Sequence, residues 1–252
     1  MVQGANRFMK PTFEILKSRW QEVVALFALW ISISWIENTG SATTGSGHQP
    51  WNLASLFFPI VFCGSFLASV LSCGFVRLAC VQGQEHQSLQ SLWKAGIHFF
   101  WRMLGYACLL GVAVLVVVVL TRKALIPHCF PSITDGLNAR ALTYCLPGIV
   151  LMKPLMYMPA IIISKDCGIR AAWNQMWCFR ILAAPQLLVL FLLHQFLQVG
   201  MHFNPQFSTW HPAMQTLMGV LSNFLTFLLL LEGTRVAGWA PKTLESSSTV
   251  AA

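Results

Sequence analysis

Six apolar runs succeed one another along the chain, at about 21–37, 54–78, 98–120, 141–163, 183–200 and 214–232. A helix of about 20 apolar residues matches the hydrocarbon core of a bilayer. Only helices and closed barrels satisfy every backbone hydrogen bond there. The pattern therefore predicts an all-α polytopic membrane bundle of six transmembrane helices over residues 21–232. A cytoplasmic amphipathic segment precedes it at 1–20, and a cytoplasmic, disordered tail follows at 233–252. The first and fifth runs are the shortest.

The polar stretches between runs carry a second pattern. Leu89, Leu92, Trp93, Gly96, Ile97 and Phe100 keep the i, i+3, i+4, i+7 spacing of one helix face. Ile169, Ala172, Trp173, Met176 and Trp177 repeat it 80 residues later. Leu16, Trp20, Val23, Val24 and Phe27 place a Trp in the same slot ahead of the first run. Amphipathic interfacial helices are thus predicted before spans 1, 3 and 5, in three successive units. Trp20, Trp93 and Trp173 are their anchors at the headgroup boundary.

Composition agrees with the runs. Of 252 residues, 56% are hydrophobic and 10% charged, with a mean hydropathy of +0.63. Soluble domains carry about 25% charged residues. The net charge of +8 does not point to nucleic acid, because the basic residues flank apolar runs instead of forming a stripe. Twelve of them fall on one side of the predicted membrane: Arg7, Lys10, Lys17, Arg19, Arg77, Lys94, Arg102, Lys165, Arg170, Arg180, Arg235 and Lys242. Only Arg122, Lys123 and Arg140 fall on the other. The positive-inside rule then places both termini in the cytoplasm. No apolar core precedes Val23, so a retained anchor is predicted in place of a cleaved signal peptide.

Lys153 is the one charge set well inside an apolar run. A charge at mid-bilayer costs about 2.5–3.5 kcal/mol on insertion scales and marks a candidate site. Pro154 and Pro159 follow it and remove backbone donors, so a broken fourth span is predicted. Broken helices near the midplane hold substrate in transporters. The competing reading is a tilted span whose freed carbonyls satisfy the lysine.

Other candidates are weaker. Lys94, Arg102, Arg170 and Arg180 enter or flank spans and are candidate lipid-headgroup contacts. His48, His128, His202 and His211 share the predicted outer side but lack ligand spacing such as HxH. Neither a metal site nor a cofactor is expected. His194 lies within the fifth run and His98 near the start of the third, where bonding to a neighbouring helix is the favoured role. The eight cysteines show no CxxC, and a Cys129–Cys145 bridge is an open alternative. Gly64, Ser65, Ala68, Ser69, Ser72 and Cys73 form a small-residue face, and Gly105 and Gly111 read the same way, as close helix packing. No P-loop, G-x-S-x-G or dinucleotide fingerprint occurs.

Three phrases carry a resemblance: FEILKSRWQEVVALFALW, SCGFVRLACVQ with its downstream SLWKAGIHFFWRMLGY, and YMPAIIISKDCGIRAAWNQMWCFRI. Gly74-Phe75-Val76-Arg77 gives a small residue then Arg after the second span. Pro159 followed by Ala171-Ala172-Trp173 gives a Pro late in the fourth span and then an amphipathic helix. The chain resembles, over roughly residues 10–232, a broad superfamily of six-span bacterial integral membrane proteins. That superfamily includes the membrane domain fused to some glycerophosphodiester phosphodiesterases. The resemblance implies an inner-membrane helical bundle, and it carries no phosphodiesterase activity because no such domain is present.

The leading expectation is a non-enzymatic integral membrane protein. It would act as an accessory or scaffold subunit, with membrane lipids and other integral membrane proteins as partners. The alternative is a small transporter or channel using the Pro-broken fourth span and Lys153. A lipid-modifying enzyme is a third class.

Overall fold

The computed structural model describes residues 12–44, 51–82, 88–129, 137–179, 184–203 and 212–239. Every regular element among them is helical. In chain order these are α1 (Thr12–Ser18), α2 (Trp20–Thr44), α3 (Trp51–Arg77), α4 (Leu89–Leu120), α5 (Ile126–Cys129), α6 (Leu137–Val150), α7 (Met152–Lys165), α8 (Ile169–Met176), α9 (Pro185–Phe203) and α10 (Pro212–Trp239). Single π-turns extend α3 over Leu78–Gln82 and join α4 to α5 over Thr121–Leu125.

Local chemistry sets the ends. Ser88 caps α4 by accepting a hydrogen bond from the Ser91 N–H. Pro185 and Pro212 open α9 and α10, where a missing N–H costs nothing. Between Leu89 and Leu120 there is no proline, so the predicted interfacial stretch and third run form one continuous helix of 32 residues. The fourth run breaks at Leu151, which leaves helical geometry at φ −97°, ψ 16°. Pro154 explains the position: it has no N–H for the carbonyl at Val150, and its ring crowds that carbonyl. Pro147 and Pro159 are accommodated inside α6 and α7.

Three stretches are long and apolar enough to cross a membrane: Pro59–Cys80, Leu89–Cys129 and Pro212–Gly238. A shorter apolar stretch, Pro185–Met201, lies in α9. The two halves of the fourth run, α6 and α7, have 14 residues each.

The helices pack antiparallel in sequence. Gly64 meets Ile33 while Phe75 lies under Arg19, so α3 runs against α2. Phe66–Phe100 and Gly74–Leu92 set α4 against α3. Tyr106–Pro154 and Arg102–Asp166 set α7 against α4. Gly148–Gln195 sets α9 against α6. His194–Thr226 and Gln198–Ser222 set α10 against α9.

At the centre is α7. Tyr157, Ala160, Ile161, Ile162 and Ile163 are wholly buried, with Phe75, Met176, Leu187 and Leu231 around them. The outside is α4: Leu109, Val112, Leu115, Val116 and Leu120 are all exposed.

Candidate functional site

Lys153 sits in the first turn of α7, just past the break. It is half-buried. Its Nζ lies 5.1 Å from the centroid of the Trp177 ring, a cation–π contact. The geometry comes from α8, which packs on α7 and returns the chain along it. Trp177 thereby reaches Lys153, and Phe179 stacks on Tyr157 at 5.1 Å. Pro154 is buried, Pro159 is half-buried, and the Pro154 carbonyl accepts a 3.0 Å hydrogen bond from the Tyr106 hydroxyl.

The four basic residues expected at headgroups part company. Lys94 and Arg170 are exposed, and neither forms an ion pair among the described residues. Arg102 instead pairs with Asp166. Arg180 lies outside the described residues. The Trp anchors all face outward, with Trp20 60%, Trp173 45% and Trp93 37% exposed. On α8 the expected single face divides: Ala172 and Met176 turn inward, while Trp173 and Trp177 form an edge-to-face pair outside.

Asp166 ends α7 in the left-handed conformation, φ 51° and ψ 42°. Its Oδ1 accepts from Arg102 Nη1 and lies 3.1 Å from His98 Nε2. Burial pushes the Asp166 carboxyl up, but the hydrogen bonds from Arg102 and His98 outweigh it and hold the group below its ordinary value. Sequence reasoning missed this trio because Asp166, at the end of α7, is 64 residues from Arg102, although His98 and Arg102 stand at i, i+4 on α4.

Three further charged groups gather at the same end. Arg77 donates to the carbonyls of Ile163 and Ser164, the last turn of α7, and its guanidinium lies 5.3 Å from the Phe99 ring. Arg19 is buried, stacked at 4.6 Å on Phe75 and paired with Glu22 at 2.6 Å. Glu232 is buried and accepts from both Arg235 and Thr12, which ties α1 to α10. The placement of basic residues at helix ends was legible; their partners were not.

Within the apolar layer, hydroxyls and amides pair across helices. His194 Nε2 lies 3.1 Å from Thr226 Oγ1, the neighbouring-helix bond favoured from sequence. Thr226 already donates to the Ser222 carbonyl, so the imidazole Nε2 carries the hydrogen. Gln198 donates to Ser222, and Asn38 donates to Thr216 at 3.2 Å. His128 bonds the Ala124 carbonyl one turn back. His48 and His211, and the side chain of His202, lie outside the described residues. Among the described residues, no three His, Cys, Asp or Glu side chains are placed to hold a metal. Cys129 and Cys145 are free thiols, so that bridge is absent.

The small-residue face of α3 does two things. Gly74 is packed so tightly that a Cβ there would lie 2.0 Å from the Leu92 carbonyl oxygen; at Gly96 one would lie 1.8 Å from that of Val70. Ser69 and Ser72 instead line a groove of about 380 Å³, walled by Trp30 of α2, Phe100 and Tyr106 of α4, and Asn223 and Thr226 of α10. Gly111 corrects the packing expectation, since a Cβ there meets nothing within 4 Å. Among the described residues, cavities also lie beside α2 and α3, between α4 and α6, and between α6 and α9. Lys153 lines none of the four.

No family model matches the chain, and comparison with curated proteins and with solved structures gives no significant similarity.

Proposed function

We propose that the chain is a non-enzymatic integral membrane protein that serves as a scaffold or accessory subunit, packing against lipid and other membrane proteins. One observation carries this reading. The stretch from Leu89 to Cys129 is highly apolar, yet only 6% of its apolar window is buried. Exposed apolar patches beyond a few hundred Å² are rare on soluble monomers and mark membrane or protein contact. The outward Leu, Val and Trp side chains of α4 need such a solvent.

In this reading the chain crosses the membrane six times, with α6 and α7 together making the fourth crossing. The alternating directions of α2, α3, α4, α6–α7, α9 and α10 support it. So does the collection of Arg19, Arg77, Arg102, Asp166, Glu232 and Arg235 at one end of the bundle. That end faces the cytoplasm of a bacterial-type inner membrane, with both termini there, and Trp20, Trp93 and Trp173 sit at its headgroups. The transporter alternative has less support, because Lys153 stacks on Trp177 and lines none of the four cavities.

The test is purification of the full chain in mild detergent, with mass spectrometry of what accompanies it. A scaffold co-purifies with a stoichiometric membrane protein, and Val112→Lys on the outer face of α4 abolishes that. A stable lone chain that supports solute flux, lost in Lys153→Met, would overturn the reading.

A further inference from the structure

We propose that the groove between α2, α3, α4 and α10 binds a membrane-soluble alcohol, a long apolar molecule bearing one neutral hydroxyl. Its volume of about 380 Å³ falls in the range of small-molecule sites, which are apolar with a few placed polar groups. Among the described residues no Asp, Glu, Lys, Arg or His lines it, so nothing in that wall compensates a charged headgroup. The ligand is therefore uncharged.

Hydrogen-bond direction narrows the class. Ser69 donates to the Ser65 carbonyl, Ser72 to that of Ala68, and Thr226 to that of Ser222. Tyr106 donates to the Pro154 carbonyl. Each hydroxyl hydrogen is committed, which leaves these oxygens as acceptors toward the groove. Asn223 differs. It is exposed, lies in the apolar stretch Pro212–Gly238, and its carboxamide has no hydrogen-bond partner among the described residues. An amide without a partner is costly in hydrocarbon. A hydroxyl answers both needs: it accepts from the Asn223 amide and donates to a serine or threonine oxygen. An ether, ester or quinone carbonyl accepts only, so it leaves the wall's acceptors unmatched. Trp30, Phe100 and Phe227 supply flat apolar walls for the remainder of the molecule.

The proposal rests on the membrane reading, and the two fail separately. Alkaline extraction of membranes tests the first: release of the protein would overturn both. For the second, the full chain in phospholipid nanodiscs is irradiated with a diazirine-bearing long-chain alcohol, and cross-linked peptides are mapped. Cross-links are expected on α3 around Ser69–Cys73 and on α10 around Asn223–Leu230. Unlabelled long-chain alcohol should compete about tenfold better than its methyl ether, the value of one well-made hydrogen bond. Asn223→Leu should weaken competition by the alcohol and by its ether alike, since both accept from the amide, and Asn223→Gln should keep it. Equal competition by the ether, or undiminished binding of the alcohol in Asn223→Leu, would overturn the alcohol site. So would disulfide linkage of two copies through Asn223→Cys, which would make the groove a contact between chains.

Discussion

Asp166 holds a backbone conformation that Asn also tolerates, so Asp166→Asn removes charge without straining the turn. Its carboxyl is held below the ordinary value, so the ionised form is the one the fold favours. The contribution is therefore present above the unfolded carboxylate range and is lost as pH falls through the depressed value. Both partners are over a third exposed, which limits the pair to about 0.5–1 kcal/mol. Unfolding in detergent against pH should show Asp166→Asn slightly less stable near neutrality. The gap should close on acidification below about pH 4. Arg77 is the stronger case, since it donates to two carbonyls at the end of α7 that have no helical partner. Arg77→Gln should cost about 2 kcal/mol, because hydrogen bonds from a charged group exceed neutral ones. A matched drop in thermal midpoint would check it. Both residues were visible in sequence only as basic or acidic positions near span ends. Lys153 stood out more and explained less: its partner, Trp177, depends on α8 folding back along α7, which no spacing rule specifies.

Elements were more legible than pairings. Apolar periodicity located helices at all six runs, and Pro154 and Pro159 predicted a broken fourth run, which the structure breaks at Leu151. The interfacial stretch before the third run did not separate, because only proline or a polar turn would have ended α4 there. Glycine gives the sharpest element-scale test. At Gly74 and Gly96 the added methyl would meet rigid carbonyl oxygens of the facing helix. Gly74→Ala and Gly96→Ala should each force α3 and α4 apart, at about 3 kcal/mol or more, the upper range for overpacking. Gly111→Ala, on the same helix in open space, should be neutral or stabilising by up to about 1 kcal/mol. Detergent thermal stability of the three variants separates close packing from mere helix propensity. If Gly111→Ala were as damaging as Gly96→Ala, the hairpin crossing would be misplaced. Sequence marked Gly111 for close packing and not Gly74 or Gly96, because composition marks small residues without saying which of them a neighbouring backbone approaches.

At the scale of the whole molecule, the stretch from Leu89 to Cys129 is the ruler. Its 41 residues span roughly 60 Å at 1.5 Å per residue. A bilayer with its headgroups is only about 40–45 Å thick. In the proposed arrangement, an upright rod of that length projects into water at both ends, on opposite sides. Lys94 lies exposed near one end and Cys129 near the other. Basic residues cluster with the Lys94 end, where Arg102, Arg77 and Arg19 also lie. In the proposed topology that end faces the cytoplasm, as the positive-inside rule expects. Orientation can then be read with a membrane-impermeant maleimide, in a variant whose other exposed thiols, Cys63, Cys108 and Cys178, are alanine. In spheroplasts Cys129 should react at once. Lys94→Cys, placed in the same background with Cys129→Ala, should react only after permeabilisation. The reversed pattern would invert the protein. Reaction of both positions in sealed spheroplasts would mean that the rod does not cross, and with it the six-crossing arrangement would fall.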